Sequence, residues 1–177
     1  MIEEDVREAV RANGLLADSR PVLAMISAGR DSTCLLDVAV SLRGCGQVSA
    51  LHVNYGLRDQ ADIDERHCAA LCERLGVALE VVAASGPARP APSGNLQAWA
   101  RQLRYAAAER TAAEADALNA TGHTATDQAE TILYRLAASP GRRALLGMVP
   151  AEGRLVRPLM AITREQTAAY CLARGLS

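Results

Sequence analysis

The stretch "VLAMISAGRDSTCLL", residues 22–36, decides the fold because it joins an apolar run to a helical pattern through a turn of small residues. The run at 22–27 is continuous and of strand length, which is typical of a strand buried in a parallel sheet. Small side chains at 27–29 let backbone N–H groups converge on a ligand, and Asp31 or Ser32 can cap the helix that follows. The stretch predicts a strand, an anion-binding turn and a helix.

The same alternation continues on both sides of this unit. Strands are predicted at 22–27, 48–53, 77–82, 117–122 and near 154–158, and helices at 3–12, 31–42, 62–76, 95–115, 124–138 and 163–174. Strands that alternate with helices predict an α/β fold, here a doubly wound open parallel sheet of about five strands with helices on both faces. The 177 residues predict one domain, 1–177.

Composition excludes several classes of protein. Half of the residues are apolar, which favours a packed core, and charges interrupt every apolar run that would otherwise span a bilayer. Five cysteines without a Cys-x-x-Cys pair argue against a disulfide framework and a zinc ribbon. All 19 basic residues are arginine, so the Gly-Lys pair of a Walker phosphate loop is absent. The acidic, amphipathic N-terminus is unlike a secretory signal, and the expected location is the cytoplasm.

In an open parallel sheet, ligands bind beyond the carboxyl ends of the strands. This rule selects four places, at 27–32, 52–58, 84–95 and 122–127, and the distinctive polar clusters of the sequence lie there. The proline-rich segment 84–94 is expected to form a mobile lid. His52 ends the second strand, where it either lines a ligand pocket or is simply packed and hydrogen-bonded.

The negative charge of Asp31 is unexpected in a turn whose backbone suits anions, because the carboxylate would repel them. A divalent cation such as Mg²⁺ between the carboxylate and the phosphates of a nucleotide would resolve the conflict. The alternative is that Asp31 only caps a helix.

Two later helices carry further candidate residues. On the helix at 95–115, Gln97, Arg101 and Arg104 lie opposite an apolar stripe and either face solvent or hold phosphates. On the helix at 124–138, four side chains share a face and can bind a metal, cap the helix or hold an ammonium group. They are His123, Asp127, Glu130 and Tyr134.

The motif "SAGRDS" resembles the Ser-Gly-Gly-x-Asp-Ser signature of the PP-loop ATP pyrophosphatases, with Ala28 in place of the first glycine. That replacement is tolerable if the position does not require a positive φ. The segments "LHVNYGLRDQADIDE" (51–65), "GNLQAWARQLRY" (94–105), "TGHTATDQAETILYRL" (121–136) and "LLGMVPAEGRLVRPLM" (145–160) are similar to successive motifs of the bacterial tRNA(Ile)-lysidine synthetases.

The resemblance implies a carbon–nitrogen ligase that uses ATP and Mg²⁺ to attach L-lysine to C2 of the wobble cytidine of tRNA(Ile) with a CAU anticodon, through an adenylated tRNA. It suggests a homodimer and no membrane partner. The nucleotide-binding residues that it implies are Ser27, Ala28, Gly29, Arg30, Asp31, Ser32, His52, Gly122 and His123. The implied catalytic residues are Asp31, Arg101, Arg104, Asp127 and Glu130, with Asp31 as the metal ligand.

Two other interpretations remain open. One is another PP-loop enzyme such as a tRNA thiolase, although such relatives rely on paired or persulfide cysteines. The other is an ATP-binding fragment, because members of the family continue into tRNA-handling domains that this chain is expected to lack. On that interpretation ATP binding survives and tRNA modification is poor, since a domain of net charge −1 holds tRNA weakly.

Overall fold

The computed structural model describes residues 1–56, 61–84, 95–139 and 141–176. Its helices are α1 (Ile2–Ala12), α2 (Arg30–Arg43), α3 (Ala61–Leu75), α4 (Leu96–Glu114), α5 (Ala125–Ala138) and α6 (Arg164–Ala173). Its strands are β1 (Val22–Ile26), β2 (Val48–Asn54), β3 (Ala78–Ala83), β4 (Leu118–Ala120), β5 (Ala151–Glu152) and β6 (Leu155–Val156). The segment expected to form a lid and Arg58 lie outside the described residues, except for Ala84.

The six strands form one sheet in the order β3-β2-β1-β4-β6-β5. All pairs are parallel except β5 with β6, so the expected fold class is confirmed with one difference. The extended piece predicted near 154–158 is the second strand of a hairpin. Gly153 turns the chain there with a φ of 60°, a conformation that glycine adopts without strain.

Helices cover both faces of the sheet. The larger core packs α1, α2, α3 and α6 against side chains such as Val22, Ala24 and Ile26 of β1. The smaller core packs α4 against Leu23 and Met25 of the same strand. Every residue of β1 is buried, as the continuous apolar run predicts for a central strand.

The apolar stripe expected on α5 is less buried than its periodicity suggests. Ile132 and Leu136 are half-buried, but Ala129 is exposed and the side chain of Leu133 is 67% exposed. The helix contacts mainly the short 3-10 helix at Arg142–Leu146, which leaves this face uncovered in the described part of the chain. Periodicity identifies an apolar face, but it does not supply the surface that covers it.

The cap of α2 differs from the prediction. Gly29, rather than Asp31 or Ser32, occupies the N-cap position and no side chain caps the helix. The Ser32 hydroxyl instead bridges the two ends of the turn. It donates a hydrogen bond to the carbonyl oxygen of Ser27 at 2.8 Å and accepts one from the Ser27 N–H at 3.0 Å. The carboxylate of Asp31 is therefore not used for capping.

A buried carboxylate fixes α6 against α2. Asp37 is 1% exposed; it accepts a hydrogen bond from the Tyr170 hydroxyl at 2.6 Å and another from the Arg174 guanidinium at 3.0 Å. Buried carboxylates are stable only when their oxygens are hydrogen-bonded in this way. The contact places the start of α6 beside the turn that follows β1.

Candidate active site

Strand order reverses around β1, because β2 and β3 extend the sheet on one side and β4 and β6 on the other. Such a switch point opens a crevice at the carboxyl ends of the central strands. A cleft of about 180 Å³ lies there and is called the switch-point cleft. Besides two apolar residues of β1, the cleft is lined by Ser27, Asp31, Ser32, Arg104, Tyr105, Thr121, Gly122, His123 and Asp127.

Two more cavities adjoin this cleft and share lining residues with it. The β2 cleft, of about 160 Å³, shares Ser27 and Arg104 with it and is also lined by Ala28, His52, Asn54, Tyr55 and Asp64. The outer groove, of about 580 Å³, shares His123 and Asp127 with it and is also lined by Arg101, Glu130, Tyr134 and Arg135. The three cavities therefore lie side by side along the carboxyl edge of the sheet.

The turn after β1 has the backbone that an anion site requires. The first N–H groups of α2 have no partner within the helix, and the helix dipole adds positive potential at the same point. Ala28 departs from the family signature without strain, because Asp116 is the one non-glycine residue with a positive φ among those described. Gly29 and Arg30 are exposed and line neither the switch-point cleft nor the β2 cleft.

The carboxylate of Asp31 lines the switch-point cleft. It accepts a hydrogen bond from the Thr167 hydroxyl and lies 3.8 Å from Nε of Arg164. No three His, Cys, Asp or Glu side chains are grouped to hold a metal in the part of the chain that the structure describes. One carboxylate nevertheless fits Mg²⁺, which commonly takes one or two protein carboxylates and completes its shell with phosphate oxygens and water.

The end of β4 approaches the turn closely at Gly122. A Cβ atom there would lie 3.1 Å from the backbone carbon and oxygen of Asp31 and the nitrogen of Ser32. These are backbone atoms at the start of a packed helix, so they cannot move aside as the end of a side chain would.

We expect Gly122→Ala to destabilise the protein by about 1–3 kcal/mol, the usual cost of overpacking, and to weaken ATP binding by displacing the turn. Urea unfolding and an ATP titration measure the two effects. Gly46→Ala is the matched control, because a Cβ atom there meets nothing within 4 Å. Equal stability of the two variants would contradict the close approach.

The structure separates the two arginines of α4. Arg104 is half-buried and lines both the switch-point cleft and the β2 cleft. Arg101 is exposed, stacks 4.8 Å from the centroid of the Tyr105 ring, and lines the outer groove instead. Gln97 is exposed. Of the two arginines, Arg104 is the one beside the turn after β1.

His52 lines the β2 cleft, but its hydrogen bonds are structural. The side chain is buried at 6% exposure, with Nδ1 3.2 Å from the carbonyl oxygen of Ile26 and 3.5 Å from Sγ of Cys68. Asn54 also has a structural contact, because its amide donates to Glu65 of α3 at 2.8 Å. Tyr55 and Asp64, which sequence analysis did not select, complete this cleft.

Asp127 and Glu130 project from the first turns of α5. Thr124 is the N-cap of α5 and Asp127 is at position N3, and together they form a capping box. Asp127 accepts hydrogen bonds from the N–H and the hydroxyl of Thr124 at 2.8 and 2.7 Å. Burial raises the pKa of Asp127, but the hydrogen bonds from Thr124 and Arg164 outweigh burial and hold that pKa below its usual range. Asp127 is therefore a permanent negative charge and a weak base.

Arg164, at the start of α6, holds both carboxylates and was not predicted. Its guanidinium donates to Asp127 at 2.7 Å and to Glu130 at 3.1 Å. These carboxylates raise the pKa of Arg164, so it stays charged. The sequence carries a weak signal of its position, since the Thr163–Gln166 capping box marks the start of α6, but no local pattern reveals the partners.

His123 lies where the switch-point cleft meets the outer groove, with Nδ1 2.8 Å from the Thr121 hydroxyl. Burial lowers the pKa of His123 to about 4, and the charge of Arg157 acts in the same direction. The ring is neutral at pH 7 and can exchange hydrogen bonds with a ligand without adding charge.

The pKa of His123 makes stability depend on pH. Between about 6.5 and 4 an unfolded chain binds a proton on this residue and the folded chain does not, so the free energy of unfolding falls as the pH is lowered through that range. We expect His123→Gln to flatten this part of the pH profile, measured by urea unfolding at each pH. His67→Gln, on α3, is the control, and identical slopes in His123→Gln and the unchanged chain would refute the assignment.

A doubly wound sheet with a small-residue turn and a charged cleft at its switch point defines a nucleotide-binding α/β domain. The chain belongs to the PP-loop domain family, which it matches over residues 2–177.

Relatives of known name are similar over most of this chain. A tRNA(Ile)-lysidine synthase from Pseudomonas fluorescens (strain Pf0-1) is 40% identical over 158 residues, which cover 85% of this chain and 34% of the relative. One from Symbiobacterium thermophilum is 37% identical over 180 residues, covering 97% of this chain and 37% of the relative. The chain thus spans little more than a third of the length of these curated relatives.

The fold is also that of a solved tRNA-modifying enzyme. A U34-tRNA thiolase from Methanococcus maripaludis, solved with its 4Fe-4S cluster, superimposes with a TM-score of 0.82 at 16% identity. The match covers 99% of this chain and 65% of that one. At this identity the likeness shows the fold alone. Within the described ranges, no helix combines the length and the hydropathy that a membrane span requires.

Proposed function

We propose that this chain is the catalytic domain of a tRNA(Ile)-lysidine synthetase, which uses ATP to attach L-lysine to the wobble cytidine of a tRNA(Ile) with a CAU anticodon. One observation carries the proposal: the turn after β1 with the carboxylate of Asp31, and the carboxylates of Asp127 and Glu130, line adjacent cavities. The similarity of named lysidine synthases over most of the chain supports it. ATP, lysine and tRNA are cytoplasmic molecules, so a cytoplasmic location accompanies the proposal.

The first step is adenylation. The N–H groups at the start of α2 and the guanidinium of Arg104 bind the triphosphate, and Asp31 would hold Mg²⁺. Bound Mg²⁺ offsets negative charge on the phosphates. The O2 atom of the cytidine attacks the α-phosphorus, an O–P bond forms, and pyrophosphate leaves with the electron pair of the bond that breaks. Arg104 is placed to stabilise the charge that develops on the phosphates.

The second step joins lysine to the base. The negative charges of Asp127 and Glu130 attract the ammonium group of lysine into the outer groove. Once a proton has been lost, the amine attacks C2, a C–N bond forms, and AMP leaves with the former O2 atom. The carboxylate of Glu130, whose side chain is 59% exposed and lines the outer groove, is the proposed acceptor of that proton.

The cysteines favour lysine transfer over a thiolase reaction. Four of the five are buried in the core, and the exposed Cys45 precedes β2, at the edge of the sheet opposite the clefts. Burial raises the pKa of Cys68 to about 12 and that of Cys72 to about 11, so both remain thiols at neutral pH. Sulfur transfer by paired cysteines requires accessible thiolates near the nucleotide.

The proposal is tested by ATP–pyrophosphate exchange with and without tRNA(Ile) and lysine. We expect this chain to bind ATP and to exchange pyrophosphate when tRNA(Ile) is present, with exchange independent of lysine. Incorporation of radiolabelled lysine into the tRNA measures the second step. Exchange that depends on sulfide, or a bound iron–sulfur cluster in the purified protein, would favour the thiolase alternative.

A further inference from the structure

Arg164 lies among three of the acidic side chains that line these cavities. Its guanidinium lies 2.7 Å from a carboxylate oxygen of Asp127, 3.1 and 3.3 Å from the two oxygens of Glu130, and 3.8 Å from Asp31. One positive charge is thus shared among three carboxylates that come from two helices, α2 and α5.

This arrangement conflicts with the proposed function, on which the inference rests. If Asp127 and Glu130 receive the ammonium group of lysine, Arg164 already fills the position that the ammonium needs. Two cations a few ångströms apart repel each other. The oxygens of the two carboxylates also cannot accept all the hydrogen bonds that a guanidinium and an ammonium group together would donate.

The guanidinium can leave without unfolding the site. The side chain of Arg164 is 44% exposed, so its ion pairs are solvent-screened and individually weak. Its backbone is held in place, because the Arg164 N–H donates to the Thr126 hydroxyl at 3.1 Å and the Thr163–Gln166 capping box fixes the start of α6. The side chain can therefore swing away while the helix stays.

We propose that Arg164 is a positioning residue that stands in for the substrate ammonium, keeping Asp127 and Glu130 together until lysine displaces it. Arg164 thereby makes lysine binding depend on displacing the guanidinium from the two carboxylates. An amine enters only if it carries a positive charge and can replace the bonds that the guanidinium gives up. Neutral amino acids that otherwise fit the groove are rejected because the carboxylates remain paired with Arg164.

The test is lysine binding to this chain by calorimetry, with n-butylamine as a second probe that has an ammonium group and no carboxylate. In Arg164→Gln we expect lysine and n-butylamine to bind about three- to tenfold more tightly, since the competing exposed ion pairs are gone. Arg164→Lys, which keeps a cation, is expected to stay near the unchanged chain. Arg20→Gln, which removes the partner of one surface carboxylate, is the matched control.

Tighter binding cannot result from misfolding, so the sign of the change is decisive. Unchanged or weaker lysine binding in Arg164→Gln overturns the inference, and weaker lysine binding with unaltered n-butylamine binding would show that Arg164 instead holds the substrate carboxylate. If the unchanged chain and Arg164→Gln both fail to bind lysine, the amino-acid site of the proposed function fails as well. Lysine binding to the unchanged chain with no effect of Arg164→Gln overturns the inference alone.

Discussion

Asp31→Asn is expected to reduce ATP–pyrophosphate exchange by about 100-fold or more, the typical loss when one charged group that stabilises the reacting centre is removed. The two side chains have the same size, and the amide oxygen of the asparagine can still accept the hydrogen bond from the Thr167 hydroxyl. The fold is therefore kept and the negative charge beside the anion-binding turn is lost. The expected defect is in Mg²⁺ binding rather than in packing.

The matched control is Asp18→Asn, which removes the same charge from a surface site. Asp18 pairs with Arg20 at 2.7 Å outside the clefts, and exposed pairs of this kind contribute little to stability. We expect exchange within about twofold of the unchanged chain. ATP titrations with and without Mg²⁺ give a second measurement, since Asp31→Asn should remove most of the Mg²⁺ dependence. Equal losses in the two variants, or none in either, would argue against Asp31 as the metal ligand.

The sequence predicted the part of the site that local patterns encode. The apolar run of β1, the small residues of the turn and the periodicity of α4 and α5 are properties of neighbouring residues, and each predicted element is present. The carboxyl-edge rule then placed Asp31 and Asp127 near one another, and both line the switch-point cleft. The order of the strands in the sheet brings these residues close together, so their proximity can be predicted before any side-chain contact is known.

The missed features depend on contacts between distant parts of the chain. Arg164 meets Asp127 and Thr167 meets Asp31 because α6 packs against α2, a contact to which the buried Asp37 contributes. The cap of α2 was misassigned for a related reason. Asp31 and Ser32 both have the chemistry of a cap, but the turn uses Ser32 internally and α6 engages Asp31.

The same limit applies to the arginines of α4. Helical spacing places Arg101 and Arg104 on one face of α4, so the sequence predicts both as phosphate ligands and does not distinguish them. The structure distinguishes them, since the half-buried Arg104 borders both inner clefts and the exposed Arg101 lies along the outer groove. How deep a side chain sits in a cleft follows from the tilt of the helix over the sheet, which the spacing of residues does not specify.

Arg104→Ala is accordingly expected to lower ATP–pyrophosphate exchange by about 100-fold, because a guanidinium in a partly water-excluded cleft stabilises charge on the phosphates more than an exposed one does. Arg101→Ala should lower exchange by less than about tenfold, since its charge lies in the outer groove and is screened by solvent. Arg104→Lys is expected to recover part of the loss, as an ammonium restores the charge without the planar fork.

Arg110→Ala is the matched control for Arg104→Ala, because Arg110 is exposed on the same helix and lines none of the three cavities. Thermal unfolding of each variant separates loss of activity from loss of fold, since Arg104 also packs 5.7 Å from the centroid of the Tyr105 ring. Equal losses in Arg101→Ala and Arg104→Ala would mean that depth in the cleft does not decide the role. A loss in Arg110→Ala as large as that in Arg104→Ala would assign the effect to the charge of the whole helix.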